Sequence, residues 1–89
     1  MLYIVHMKPN PNVEMGSVQE LLNDADDWHR LGAWCWVIES EQTGTHWARK
    51  LEKFVKPQGE VFVCQLQPSN RNGYKTKKFW EWFRKRADR

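Results

Sequence analysis

Three short stretches of the chain carry the pattern of apolar residues that is typical of β-strands. In Ala33–Ser40, aromatic and β-branched residues follow one another without a helix former or breaker between them. Successive residues of a strand point to opposite faces of the sheet, and both faces of this stretch are largely apolar. Leu2–Met7 and Val61–Leu66 have the same character. The pattern therefore predicts three strands of one sheet, with Ala33–Ser40 in its interior and a cover on each face.

Helical spacing of apolar residues marks the segments between and after these strands. The capping-box sequence Ser17–Glu20 precedes such a pattern and predicts a first helix over about 18–25. Thr45 is the expected N-cap of a second helix. Thr76–Ala87 is predicted to form the last helix, capped by its first residue. The short stretch 28–31 is predicted to be an edge strand that precedes the interior one.

The predicted order is strand, helix, strand, strand, helix, strand, followed by one more helix. This order is typical of the ferredoxin-like α+β fold, βαββαβ, with an antiparallel sheet and two helices on one face. We therefore expect a ferredoxin-like domain over residues 1–67 and a loop with a basic, aromatic C-terminal helix over 68–89. The first and third strands are expected at the centre of the sheet. The last helix or a second copy of the chain must shield the other face, and we favour a twofold homodimer.

Positive charge is concentrated at the C-terminal end of the chain. The 89 residues have a formal net charge of +3. Residues 71–89 include eight basic and two acidic residues, a net charge of +6, so the preceding 70 residues carry −3. A mildly acidic body with a strongly basic end is typical of a protein with a polyanionic partner.

The last helix allows three interpretations. Phe79, Trp82, Phe83 and Arg86 share one side of it, and the three aromatic residues are expected to dock on the sheet while the cations are solvated. Alternatively, the basic ends follow phosphates while Trp80 stacks on a base, or the helix binds a protein groove or an anionic membrane surface. The first two interpretations are compatible, and we expect non-catalytic binding to RNA or DNA. The residues predicted to contact the nucleic acid are Lys75, Lys77, Lys78, Trp80, Arg84, Lys85 and Arg86.

The chain lacks the motifs that mark membrane, secreted or cofactor-dependent proteins. No apolar run approaches the roughly 20 residues of a membrane span, and no secretory signal is visible. Cys35 and Cys64 have no metal-binding spacing, so we expect reduced cysteines in a cytoplasmic protein. Because no phosphate-binding Gly loop, zinc spacing or nucleophile elbow is present, no cofactor is predicted.

Two groups of residues are candidates for chemistry. His6 lies at the end of the first strand and is a candidate general base, because an unperturbed imidazole titrates at about 6.5. Asp24, Asp26 and Asp27 are clustered carboxylates of the kind that binds Mg²⁺ or Ca²⁺. The cluster lacks the Gly and the distal Glu of an EF-hand loop, so we interpret it as a solvated helix end and predict no metal site.

The strands and their flanks resemble a known family. Asp27–Leu31 leads into Trp36–Ser40, a helix with Leu51 follows, and Gly59–Leu66 forms the last strand. This succession resembles the small SinR-like proteins, which are relatives of the second CRISPR-associated core protein. Over roughly residues 1–67, the resemblance implies a ferredoxin-like homodimer with nucleic acid as its partner. In the nuclease branch of the family, an Asp at the end of the first strand of each subunit holds a divalent metal.

The chain departs from this family at the metal position. His6 or Met7 stands where the nuclease branch has its Asp, and neither is the hard oxygen ligand that Mg²⁺ prefers. The metal site is therefore not carried over, and we expect binding rather than cleavage. Two alternatives remain: a metal-dependent endonuclease in which His6 and an Asp of the 24–27 cluster replace the usual ligand, and a protein-protein adaptor of phage or mobile-element origin.

Overall fold

A four-stranded antiparallel sheet organises the fold. The computed structural model describes residues 1–87; Asp88 and Arg89, whose charges enter the count above, lie outside this range. The elements are β1 (Leu2–Lys8), α1 (Met15–Leu22), β2 (Asp27–Gly32), β3 (Cys35–Glu39), α2 (Gly44–Leu51), a 3-10 turn (Glu52–Phe54), β4 (Glu60–Gln65) and α3 (Lys77–Ala87). The strand order is β2-β3-β1-β4, so β1 and β3 are central. The predicted ferredoxin-like α+β fold with an additional C-terminal helix is confirmed.

The register of the central strand fixes which residues share a face. β1 pairs with β3 over Leu2–His6 and Cys35–Glu39, and with β4 over Tyr3–Lys8 and Glu60–Gln65. Because side chains alternate along each strand, the odd-numbered residues of β1 occupy one face and the even-numbered residues the other. We call these the first face and the second face.

The first face packs against α1 and α2 and forms the larger core. Its fully buried aromatic residues are Trp36 on β3 and Trp47 on α2. The Trp47 indole N–H donates to Ser40 Oγ at 2.9 Å, and the Trp36 indole N–H donates to Gln19 Oε1 at 3.2 Å. Each buried indole therefore keeps a hydrogen-bond partner, as burial of a polar N–H requires. The other buried members of this core are Tyr3, Val5, Met7, Val18, Leu22, Ile38, Leu51 and Val55.

The second face carries a smaller core under α3. Phe79 and Phe83 of α3 are buried against Leu2 of β1 and Val37 of β3. The sequence predicted that either the last helix or a second copy of the chain covers this face. The structure shows that the last helix covers the part formed by β2 and β3. The homodimer is a separate question and stays a prediction.

Two of the three predicted helix N-caps are wrong. α1 begins at Met15, and Glu14 precedes it without a capping side chain, so Ser17 lies inside the first turn. Met15 packs against the first core, and this contact favours an earlier start of the helix. In α2 the cap is Thr43, whose hydroxyl accepts from the His46 N–H at 3.1 Å, while Thr45 lies within the helix.

The cap predicted for the last helix is confirmed, and the preceding hairpin is shifted. The Thr76 hydroxyl accepts from the Phe79 N–H at 3.1 Å. Because Gly32 pairs with Cys35, the hairpin between β2 and β3 has a two-residue turn. Its second residue, Trp34, has a φ of 59°, a left-handed conformation that a bulky residue adopts in turns rather than in strands. Trp34 therefore belongs to the turn rather than to the strand predicted there.

Candidate functional site

The docking of α3 on the second face defines the candidate site. Phe79 and Phe83 point into the core, and Trp82 and Trp80 are half-buried on opposite flanks of the helix. The Trp82 flank faces β2, where its indole N–H donates to Asp27 Oδ2 at 3.1 Å. The Trp80 flank faces the 67–75 loop and the β1/β4 side of the sheet.

Arg86 and Asp27 form an ion pair that holds the C-terminal end of α3 on the sheet. One Nη of Arg86 contacts Asp27 Oδ2, and its Nε lies 4.0 Å from Glu39 Oε1. The guanidinium also lies over the Trp82 ring, 4.5 Å from the centroid. Burial alone would raise the pKa of Asp27, but hydrogen bonds from the Trp28 N–H, from Arg86 and from Trp82 together lower it.

This ion pair changes the role expected of one site residue. The side chain of Arg86 is 15% exposed. One Nη donates to the Trp82 carbonyl oxygen at 3.0 Å, and the other polar contacts are with Asp27 and Glu39 on the sheet. It is therefore held by the protein's own acidic groups. The sequence indicated a cation here but not its partner, because Asp27 lies 59 residues earlier in the chain.

The N-terminal end of α3 packs around a histidine of β2. The His29 ring lies 5.3 Å from the Phe79 ring and 5.4 Å from the Trp82 ring, measured between centroids. Burial lowers the pKa of His29, and the nearby cations Lys75 and Lys78 lower it further. These effects favour the neutral imidazole, although nearby Asp27 acts in the opposite direction, and the ring forms aromatic contacts with Phe79 and Trp82.

The solvent face of α3 presents four of the predicted cations. These exposed cations are Lys77, Lys78, Arg84 and Lys85. Glu81, the one acidic residue of α3, is also exposed. Lys77 and Arg84 lie three residues before and four residues after Trp80. At these spacings helical side chains are neighbours, so the three form one line along the Trp80 flank. We call this line the Lys77–Trp80–Arg84 stripe.

An open groove runs beside the stripe, between α3, the 67–75 loop and the second face. Its volume is about 520 Å³. Apolar residues form its floor and its helical wall: Ile4, Leu31, Val37, Leu66, Phe79, Trp80 and Phe83. Polar residues of the 67–75 loop form its rim: Gln67, Asn70, Arg71, Asn72 and Lys75. The rim thus combines three carboxamides with two cations, and the lining found within residues 1–87 includes no carboxylate.

Beyond the groove, the β1/β4 half of the second face is open. Phe62 of β4 is 60% exposed and lies opposite the exposed His6 of β1. This exposure leaves on the order of 100 Å² of aromatic surface in water, which corresponds to about 2.5 kcal/mol of unrealised burial. Cys64, opposite Ile4, is also exposed. We call Ile4, His6, Phe62 and Cys64 the open half.

The residues proposed for chemistry do not come together within one chain. His6 pairs with Cys35 near one end of β3, whereas Asp27 pairs with Glu39 at the other end. This separation is about 13 Å along the sheet. Asp24 forms an ion pair with Lys50, which lowers the pKa of Asp24 through the hydrogen bond and the charge. Across residues 1–87, no three His, Cys, Asp or Glu side chains converge as metal ligands.

Both cysteines are free thiols in different environments. Cys64 is exposed on the open half, and Cys35 is half-buried on β3. Burial raises the pKa of the Cys35 thiol, although nearby Lys75 acts in the opposite direction. The two thiols therefore differ in accessibility. The rate at which Cys64 is chemically modified can be used to measure whether the open half is covered.

No family model, curated protein or solved structure matches the chain. The resemblance to the SinR-like proteins thus stays a prediction. In the part of the chain that the structure describes, no helix is long and apolar enough to cross a membrane.

Sequence reasoning does not single out Phe62 or the three carboxamides of the groove rim. The apolar pattern of the last strand predicts a cover on both faces, whereas Phe62 is exposed. The signal for the rim is the polar, Asn-rich run after β4, which by itself predicts only a loop.

Proposed function

We propose that the protein binds nucleic acid through α3, with exposed cations on the phosphates and Trp80 stacked on a base, and without catalysing a reaction. The observation that carries this proposal is the Lys77–Trp80–Arg84 stripe. It places an accessible indole between two exposed cations on one line of a helix. Phosphate contacts position a polyanion, and an aromatic ring beside them accepts a base of any sequence.

The remaining exposed cations extend the positive surface on both sides of the stripe. Lys75 precedes the helix and lies over the Phe79 ring, with Nζ 5.4 Å from the centroid. Lys78 and Lys85 lie on the other flank. Arg86 is omitted from the proposed interface, because its guanidinium is engaged by Asp27 and supports the helix instead. The interface therefore comprises Lys75, Lys77, Lys78, Trp80, Arg84 and Lys85.

Two further features belong to the proposal. The free thiols of Cys35 and Cys64 suit a reducing compartment, which supports the cytoplasmic location expected from the sequence.

The homodimer also stays a prediction, and light scattering coupled to size-exclusion chromatography at two protein concentrations tests it. In the endonuclease alternative, His6 and an Asp of the 24–27 cluster would have to meet across two subunits, since one chain keeps them apart.

Fluorescence anisotropy with labelled oligonucleotides at several salt concentrations tests the proposal. The test variant is Lys77→Gln with Arg84→Gln, which removes both cations of the stripe. The matched control is Arg49→Gln with Lys53→Gln, which removes two exposed cations from the region of α2, on the first face. If four cations contact phosphates of a single strand, log K falls by about 2.8 per log unit of salt, or about 50-fold between about 50 and 200 mM.

The test variant is expected to weaken binding at low salt and to reduce this slope by about 1.4, whereas the control keeps the wild-type slope. Equal slopes in the two variants would contradict the proposed interface. Absence of binding at low salt would refute nucleic-acid binding altogether. Incubating the oligonucleotides with Mg²⁺ or Mn²⁺ tests the non-catalytic part, because their full-length recovery is expected and cleavage that is lost in His6→Ala would overturn it.

A further inference from the structure

The open half and the groove form one continuous surface on the second face. Ile4 belongs to both, since it lines the groove and lies opposite Cys64. His6, two residues further along β1, lies opposite Phe62. The two cross-strand pairs are therefore about 6.6 Å apart along the sheet. A bound chain that enters the groove at Trp80 can continue across Ile4 to Phe62 without leaving the protein.

We propose that this surface binds single-stranded nucleic acid, with one base stacked on Phe62 and the strand continuing through the groove to Trp80. The inference rests on the proposed function and adds to it the class of nucleic acid and a second stacking residue. A stacked base needs an accessible aromatic face, and Phe62, which is 60% exposed, offers one on the edge strand β4.

The groove rim has the groups that an unpaired base requires. A carboxamide both donates and accepts hydrogen bonds, which matches the edges of unpaired bases. Three carboxamides of the 67–75 loop line the rim, at Gln67, Asn70 and Asn72. A duplex hides the faces and pairing edges of its bases, so it could use only the exposed cations of α3. The aromatic floor and the carboxamide rim are accessible only to a strand whose bases are unpaired.

Charge favours nucleic acid over a second copy of the chain as the occupant. Lys75 lies on the groove rim, and the Lys77–Trp80–Arg84 stripe runs along its helical wall. A twofold contact through this surface would set two such positive surfaces against each other, and like charges across an interface are unfavourable. At the far end, Lys8 is accompanied by its cross-strand partner Glu60, so the positive surface is strongest beside α3.

Affinity measurements with Phe62 variants test the inference. The probes are a labelled oligothymidine and a labelled oligouridine of about 12 nucleotides, and a duplex of equal length. Phe62→Ala is expected to weaken binding of both single strands by about 5- to 150-fold, which corresponds to the ~1–3 kcal/mol of one stacked base. Duplex binding is expected to stay unchanged. Phe62→Leu is expected to lose nearly as much as Phe62→Ala, because leucine keeps the apolar bulk but lacks an aromatic face.

Alkylation of Cys64 provides an independent readout in the unmodified protein. Its exposed thiol lies on the proposed path, two residues after Phe62. Alkylation of Cys64 by N-ethylmaleimide is measured by mass spectrometry over time. A saturating concentration of the single-stranded oligonucleotide is expected to slow this alkylation, whereas a saturating concentration of the duplex leaves the rate unchanged. Full-length protein without nucleic acid at several concentrations is the control. Protection that rises with protein concentration alone would assign the surface to a second copy and overturn the inference.

The outcomes separate this inference from the proposed function. If single strand and duplex bind equally well, and neither the Phe62 variants nor Cys64 alkylation respond, the single-strand path is refuted while binding through α3 stands. If no oligonucleotide binds at low salt, both are refuted. If Phe62→Leu binds like wild type while Phe62→Ala does not, the contact at Phe62 is apolar rather than stacked, and the inference fails.

Discussion

Neutralising Asp27 tests how strongly the ion pair with Arg86 holds α3 on the sheet. Asp27→Asn keeps the shape of the side chain, and its carbonyl can still accept from the Trp82 indole, as Oδ2 does at 3.1 Å. The change removes the charge and replaces Oδ1, which accepts from the Trp28 N–H, with an NH2 group. Arg86 would keep Glu39, 4.0 Å from its Nε, as its remaining acidic neighbour. Its Nε already has no hydrogen-bond partner among the described residues, so the substitution increases an existing deficit.

The magnitude follows from the exposure of the two partners. Breaking a fully buried ion pair costs about 3–5 kcal/mol, whereas an exposed pair contributes about 0–1 kcal/mol. The Arg86 side chain is 15% exposed and the Asp27 side chain 39%, so solvent screens the pair in part. We expect Asp27→Asn to lower the free energy of unfolding by about 1–2 kcal/mol. For a chain of this size, that corresponds to a fall in Tm of about 5–15 °C.

Thermal and urea unfolding, followed by circular dichroism, measure this change. Asp26→Asn is the matched control, because Asp26 is the neighbouring residue and is exposed. This substitution is expected to change the free energy of unfolding by less than about 0.5 kcal/mol. Amide hydrogen exchange is expected to show the largest loss of protection in α3. Equal stability of wild type and Asp27→Asn, or an equal loss in Asp26→Asn, would refute the role assigned to the ion pair.

The effect of Asp27→Asn also depends on pH in a defined direction. The pKa of Asp27 is lowered below its ordinary value of 3.8 in the folded protein. A carboxyl group of this kind stabilises the folded state above the unfolded-state pKa and loses that contribution as the pH falls through the folded-state pKa. The stability difference between wild type and variant is therefore constant at neutral pH. It shrinks below about 3.8, and a difference that instead grew there would contradict the interpretation.

Two further predictions concern the packing of the sheet. Ser40→Ala leaves the buried Trp47 indole N–H without the hydroxyl that accepts it at 2.9 Å, so urea unfolding is expected to show a loss of about 1–3 kcal/mol; a loss below about 0.5 kcal/mol would contradict this. Gly59→Ala places a Cβ in steric overlap with the Lys8 carbonyl oxygen and is expected to cost about 2–3 kcal/mol. Its control, Gly16→Ala, meets no atom within 4 Å and is expected to stabilise α1 by up to about 1 kcal/mol, so equal effects at both positions would refute the argument.

The sheet was predictable from the sequence because its signal is local. Alternating and continuous apolar runs identified β1 and β4 to within a residue or two, since burial on a sheet requires that pattern along each strand. The side of α3 that docks was also predictable, because Phe79 and Phe83 share one face of any α-helix. The predicted caps Ser17 and Thr45 failed, because packing of a neighbouring residue or a competing Thr decided where those helices begin.

The candidate site was predictable only in part. The concentration of cations near the C-terminus follows from the sequence alone, and so does the spacing that aligns Lys77 and Arg84 with Trp80. The spacing also places Arg86 on the side of Phe79 and Phe83, away from the other cations of the helix. The acidic partner of Arg86 does not follow from the sequence, because β2 brings Asp27 to it from 59 residues earlier.

The sequence by itself determined the sheet, the amphipathic last helix and the excess of positive charge, because each depends on residues that are neighbours along the chain. Only the tertiary structure decided that α3 covers β2 and β3 and leaves Phe62 exposed. That choice depends on the path of the loop after β4 and on contacts between residues far apart in sequence. The groove exists for the same reason, since Ile4, Leu66 and Trp80 line it from three separate segments.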